Sequence, residues 1–158
     1  MAALTARQAR AASPFARVMA VLGTKSLRIQ SPLELHERIV AGLPRSTAVH
    51  MVSSLSEIKL EESMKVLNIS SRTWHRIKAD KAELGKPLDL DQSARVWSMA
   101  EILAKAEDVL GTREEAEQWL SRPAIGLDSR RPIDLMATPQ GADIVKTLLE
   151  QMAHGVYA

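Results

Sequence analysis

The chain contains no cysteine, and its aromatic side chains amount to three Trp, one Tyr and one Phe in 158 residues. The first absence excludes disulfides, thiolate nucleophiles and zinc sites built on sulfur, and it suits a reducing cytoplasm. The second, with no run that alternates apolar and polar residues between turn pairs, removes the usual material of β-strands. No window reaches the roughly 18 consecutive apolar residues that a membrane span needs, so a soluble, cytoplasmic protein is expected. The histidines His36, His50, His75 and His154 lie too far apart for a metal site. A glycine-rich phosphate loop, a nucleophile elbow and a metal dyad are all missing. The carboxylate pair Glu114/Glu115 cannot act as acid and base together, because neighbours on a helix point about 100° apart. The expectation is therefore a non-enzyme with no cofactor and no metal.

What is present is enough to fold unaided: 46% of the residues are hydrophobic, and the length suits one domain or two small ones. The net charge of +2 hides a split. Residues 1–33 carry five bases and no acid, residues 34–58 carry −1, residues 59–88 carry +3, and residues 89–158 carry seven bases against twelve acids, or −5. A basic front half suits a polyanion such as DNA, whereas an acidic back half would be repelled by it and suits a different partner. Arg7, Arg10, Arg17, Lys25 and Arg28 give the beginning the look of a transit peptide, but no secretory apolar segment or cleavage site accompanies them, and the plainer reading is a frayed or weakly helical basic arm.

Helical punctuation recurs along the rest of the chain. Ser31-Pro32-Leu33-Glu34 reads as a capping box with proline in the first turn, stopped by Gly42, and Pro44 opens the next helix, with Val49, Val52 and Leu55 at helical spacing. Leu60, Met64 and Leu67 make a stripe that Asn68-Ile69-Ser70 interrupts, and a second helix, Ser71 to Asp80 with Leu84 beyond it, turns Trp74, Ile77 and Leu84 one way. Gly85-Lys86-Pro87 marks the best internal boundary. Asp91 is expected to cap a long helix carrying Val96, Met99, Leu103, Ala106 and Leu110 and ending at Gly111. Thr112 with Glu115 opens a short helix containing Trp119 and Leu120, Ala124 to Arg131 reads as a loop, and Pro132 starts another turn with Asp134 complementing its dipole. Thr138-Pro139 caps the last helix, whose Val145, Leu148, Leu149 and Met152 form an apolar stripe before Gly155. Trp97 and Trp119 read as core. The fold class is all-α.

Two stretches carry chemistry. Opposite Trp74 and Ile77, the residues Arg72, His75, Arg76 and Ala79 form a polar stripe at i, i+3, i+4 and i+7. A short helix, a turn and a helix with a basic outer face make a helix-turn-helix pattern, in which arginine can read guanine in the major groove and Ser71, Thr73, Lys78 and Lys81 can meet phosphate. Spacing alone equally fits an ordinary solvated helix face. The second stretch is the end, His154-Gly155-Val156-Tyr157-Ala158, which is either a frayed terminus or a tyrosine anchor for a partner's pocket, with Gly155 redirecting the chain.

Arg72-Thr73-Trp74-His75-Arg76, Leu88 with Asp91-Gln92-Ser93-Ala94-Arg95, Trp119-Leu120-Ser121-Arg122-Pro123, Arg131-Pro132-Ile133-Asp134-Leu135-Met136-Ala137-Thr138, Gly141 and the terminal His154 to Ala158 together resemble the Xre antitoxins that partner RES-domain toxins. The resemblance spans roughly Leu43 to Ala158. It implies 41–86 as a helix-turn-helix domain that dimerises and represses its own operon and 87–158 as a toxin-binding domain of the Xre/MbcA/ParS type, and it leaves residues 1–40, read as a basic arm and first helix, outside. It also implies a partner toxin that consumes NAD, with His154, Gly155, Val156, Tyr157 and Ala158 by its active-site entrance. The apolar stripe of the last helix is expected, on its own pattern, to centre a surface that supplies most of the contact. Two positions depart from the pattern: Ile77 stands where relatives often have a second arginine, and Asp128-Ser129 where they often have a glycine pair. The runner-up reading is a stand-alone helix-turn-helix regulator, and a third is an adaptor with no DNA role.

Overall fold

The computed structural model describes residues 13–155. Its helices are α1 (Pro14–Val21), α2 (Pro32–Ala41), α3 (Arg45–Ser53), α4 (Leu60–Leu67), α5 (Ser71–Ala79), α6 (Lys81–Leu84), α7 (Leu90–Leu110), α8 (Arg113–Ser121), α9 (Pro132–Leu135) and α10 (Pro139–Ala153), with a 3₁₀ turn at Ile125–Leu127. No strand occurs among the described residues beyond two isolated bridges, Pro44 with Pro87 and Ala124 with Arg130, so the all-α expectation is met.

Local capping chemistry sets most of the boundaries. Ser31, Thr112 and Thr138 each accept a hydrogen bond from the backbone N–H three residues on, satisfying a donor that the first turn would otherwise leave orphaned. Gly42 ends α2 at φ 95°, and a Cβ there would lie 2.5 Å from the Leu88 carbonyl oxygen, so both backbone conformation and space require glycine. The long helix starts two residues earlier than expected: Asp89, not Asp91, is its cap, accepting from the Gln92 N–H at 2.7 Å. Asp91 is occupied elsewhere, receiving Asn68 Nδ2 at 3.1 Å and Arg95 Nε at 2.9 Å.

That long helix, α7, is the centre of the molecule. Val96, Met99, Ala100, Ile102, Leu103 and Ala106 are all fully buried, a broad apolar face, while Asp91, Ala94 and Asp108 keep a narrow stripe of the helix in solvent. Helices α1, α2, α3, α4, α8 and α10 all pack on it. Ser93, also fully buried, secures its beginning: its hydroxyl accepts from the Leu43 N–H at 2.9 Å, tying α7 to the junction of α2 and α3.

Three expectations are corrected by this packing. Residues 14–21 are not part of a frayed arm. Phe15, Val18, Met19 and Leu22 recur at i, i+3, i+4 and i+7, Val18, Val21 and Leu22 join the core, and the Phe15 ring lies 6.2 Å from that of Trp97; Arg17, the one base among them, and the bases on either side masked an amphipathic helix. Leu84 does not share a helix with Trp74 and Ile77, because Asp80 leaves helical geometry (φ −127°, ψ 115°) and caps α6 through the Ala82 N–H at 2.9 Å. The stripe Val145, Leu148 and Leu149 on α10 is buried within this chain against the core, with Met152 packed beside it, so it offers no surface to a partner.

Polar side chains join the front and back halves. Glu117 on α8 is 1% exposed, and its carboxylate accepts from the Ser56 N–H at 2.9 Å, the Ser56 hydroxyl at 3.3 Å and the Glu57 N–H at 3.4 Å, holding the turn between α3 and α4. Arg131 bridges Glu62 of α4 (2.7 Å) and Asp134 of α9 (2.8 Å), and these hydrogen bonds raise its pKa above the ordinary guanidinium value. Arg95 donates to the Val66 carbonyl at 3.3 Å and to the Ala137 carbonyl. At the start of α10, a Cβ on Gly141 would fall 1.8 Å from the Leu135 carbonyl oxygen, so α9 and α10 can meet only over glycine.

Two substitutions test this framework by chemical denaturation. Gly141→Ala should lose at least about 3 kcal/mol, since backbone must move to admit one methyl group. Glu117→Ala should lose about 2–4 kcal/mol by orphaning buried N–H groups of the α3–α4 turn. A denaturation midpoint unchanged from the parent chain for either variant would refute the corresponding contact.

Candidate nucleic-acid and partner interfaces

Helices α4 and α5 and the turn between them form the first site. Asn68 ends α4 in the left-handed conformation (φ 53°), Ile69 is buried beneath the turn, and Ser70 caps α5 by accepting from the Thr73 N–H at 3.1 Å. Trp74 and Ile77 are buried at 2% exposure, which fixes the roll of α5. Ile77 is thus a core residue at the position where an arginine is frequent in the resembling family. With these two inward, the 100° spacing turns Arg72, His75, Arg76, Lys78 and Ser71 to solvent, and all five are exposed. Thr73 is half-buried, and its hydroxyl receives the Ser70 hydroxyl at 2.9 Å. Lys81 is exposed just beyond the helix end.

Among the described residues, Arg72, His75 and Lys78 make no ion pair, while Arg76 Nε lies 3.8 Å from the Glu83 carboxylate. Glu83, on α6, also receives Arg45 from α3 and Lys86 at 2.5 Å. The Lys86 hydrogen bond, and after it the charges of Lys86, Arg45 and Arg76, hold its carboxyl below the ordinary range against the opposing effect of desolvation. Glu83 therefore fastens α3 to the end of the helix-turn-helix and sets the resting direction of Arg76. Nothing in the local sequence marks it, since Arg45 lies 38 residues away.

The second site is the end of α10. His154, exposed, closes the helix with its N–H on the Glu150 and Gln151 carbonyls, and Gly155 follows at φ 70°, its N–H 3.1 Å from the Met152 carbonyl. A left-handed residue here redirects the chain away from the helix axis. Val156, Tyr157 and Ala158, which complete the expected anchor, lie outside the described residues. The loop that precedes α9 folds as the departure from the family pattern requires: Asp128 (φ 53°) and Ser129 (φ 60°) both occupy the left-handed region where relatives often place glycines. The described residues bring together no group of three or more His, Asp or Glu side chains able to hold a metal ion, and contain no helix long and apolar enough to cross a membrane.

Comparison with known proteins gives two family matches along the chain. Residues 34–101 match the Antitoxin Xre-like helix-turn-helix domain, and residues 105–155 match the Antitoxin Xre/MbcA/ParS C-terminal toxin-binding domain. The chain is 30% identical over 142 residues to Antitoxin Xre of Pseudomonas putida KT2440, covering 89% of this chain and 82% of that protein. It is 26% identical over 143 residues to a protein of Sphingobium sp. strain YBL2 named Prs ADP-ribosylating antitoxin (85% of this chain, 87% of that protein). It is 27% identical over 116 residues to Antitoxin Xre of Photorhabdus laumondii (73% and 75%). A helix-turn-helix built on α4 and α5, joined through α7 to a second helical half that matches a toxin-binding domain, places this chain in the Xre family of antitoxins.

Proposed function

We propose that the chain is a type II antitoxin that inhibits a RES-type, NAD-consuming toxin and represses its own operon through α5. The observation that carries the reading is the coexistence, on one packed body, of an exposed basic helix face and a half that matches a toxin-binding domain. The name of the Sphingobium relative supports a toxin that transfers ADP-ribose, a group drawn from NAD. A cleft that binds an anionic dinucleotide is electropositive, so a back half of net −5 is steered toward it. The chain acts by binding in the cytoplasm, as a homodimer within a larger complex, with no cofactor and no catalysis of its own. Co-expression with the neighbouring gene, followed by mass measurement of the purified complex, tests the pairing; recovery of the chain with no toxin-sized partner would favour a stand-alone regulator. The purified chain alone should leave NAD unconsumed, and turnover that follows it through successive columns would overturn the non-enzyme reading.

On the DNA side, Arg72→Ala and Arg76→Ala should each weaken operator binding by about 1–3 kcal/mol if the contact is to a base, with the larger loss at Arg72, because Arg76 must leave Glu83 to reach DNA. Lys78→Ala should instead lower the slope of log affinity against log salt by about 1, as a phosphate contact does. Gel-shift titrations across salt concentrations read both effects, and unchanged affinity in both arginine variants would remove α5 from the interface.

On the toxin side, Gly155 directs the residues that follow it, with Tyr157 closing the toxin's active-site entrance. Deleting Gly155 to Ala158 should leave a folded protein that still shifts operator DNA but protects poorly in growth assays with co-expressed toxin. Equal rescue by full-length and truncated forms would reassign inhibition to the helical surface.

A further inference from the structure

Resting on the antitoxin reading above, we infer that the toxin docks on an apolar anchor formed by Ile125 and Ile144, at the edge of the buried stripe of α10. Ile125 is 95% exposed and Ile144 53%. The other large exposed apolar side chains, Leu33, Val40, Leu60 and Leu90, lie outside residues 105–155, the part that matches a toxin-binding domain. Single exposed apolar residues are commonplace on protein surfaces. The way Ile125 is held is not.

The turn that carries it is closed on itself. The Ser129 and Leu127 N–H groups both donate to the Ala124 carbonyl at 3.0 Å, the Ala124 N–H donates to the Arg130 carbonyl at 3.0 Å, and the Arg130 N–H to the Leu127 carbonyl at 3.0 Å. Leu127 is buried as the foot of the turn, and Gly126 sits against α10 so closely that a Cβ would be 2.9 Å from Leu148 Cδ1. Asp128 and Ser129 accept left-handed backbone to complete it, at a cost that glycine would largely avoid. The chain thus fixes a strained, rigid turn with an isoleucine at its tip, where connecting turns ordinarily carry a polar or turn-forming residue. A rigid apolar side chain loses little freedom on binding, which is the property of an interface anchor.

Ile144 stands one turn before Leu148 on α10, and Gly126, the neighbour of Ile125, lies against Leu148, so both isoleucines flank that residue. Asp143 and Thr147 on α10 and Arg130 on the turn are exposed polar neighbours of this flank. From Ile144 to Gly155 the helix advances about 16 Å, at about 1.5 Å per residue, so anchor and tail fit within one interface of ordinary size. The occupant is accordingly a toxin protein with an apolar recess for the isoleucines beside the entrance that the tail closes.

The test uses full-length chain and the toxin encoded beside its gene, with the dissociation constant measured alongside operator gel shift and thermal melting. Ile125→Thr and Ile144→Thr should each weaken toxin binding at least tenfold, and Ile125→Asp with Ile144→Asp at least a hundredfold, with melting and operator binding unchanged because both side chains are solvent-exposed. Parent-like toxin affinity in the double aspartate variant overturns the inference while leaving the antitoxin reading standing. Loss of self-association in that variant without loss of toxin binding also overturns it, by assigning the patch to a second copy of this chain. If the unsubstituted chain binds no toxin, the functional reading itself fails, and the anchor with it.

Discussion

The burial of α7 is the constraint on which the rest of the structure depends. Val96, Met99, Ile102 and Leu103 are fully buried, and each contributes roughly 1.5–3 kcal/mol by removal from water. A helix buried over so broad a face needs several partners at once, and both halves of the chain supply them: α1, α2, α3 and α4 before it, α8 and α10 after it. Helix α5 is not among the helices that pack extensively on α7. Its position is set by the buried Trp74 and Ile77, by its packing on α6, and by the Glu83 cluster. The geometry of the basic face is therefore set by a core that lies mostly behind it.

Hydrophobic packing alone would hold the halves together without fixing their relative orientation closely. The polar ties do that. Glu117 reaches the turn between α3 and α4, Arg131 reaches Glu62, and Arg95 joins the end of α4 to the segment before α10. Each spans 29 or more residues of sequence or links elements from different halves. Arg95, Arg131 and Asp134 also belong to the motifs by which the family resemblance is recognised. In this chain they are structural fasteners, and the surfaces that would meet DNA or protein are made of other residues.

Much of the fold was legible because capping is local. Ser31, Thr112 and Thr138 satisfy a donor three residues away, and a pattern of that range can be read without knowing the tertiary structure. The exposure of Arg72, His75 and Arg76 followed from the same short-range logic. Where the outcome depended on distant partners, reading failed: the expected cap Asp91 is claimed by Asn68 and Arg95, and Asp89 caps the helix instead. Glu117, and the tie from Glu83 to Arg45, were invisible because those partners lie far along the chain. The stripe on α10 illustrates a deeper limit, since an apolar helix face looks the same whether it meets its own core or another protein. α1 was missed for a different reason, its periodicity being diluted by basic residues that read as an arm.

The two family matches abut between residues 101 and 105, in the middle of α7. Multidomain chains are usually nicked at an exposed connector, because a protease must thread several residues of extended backbone. At this seam the backbone is helical and Ile102 and Leu103 are fully buried, so cleavage there must wait for the core itself to open. A cut at this seam consequently comes only after the core shared by both halves has opened, so neither half is freed from the other there while it is still folded.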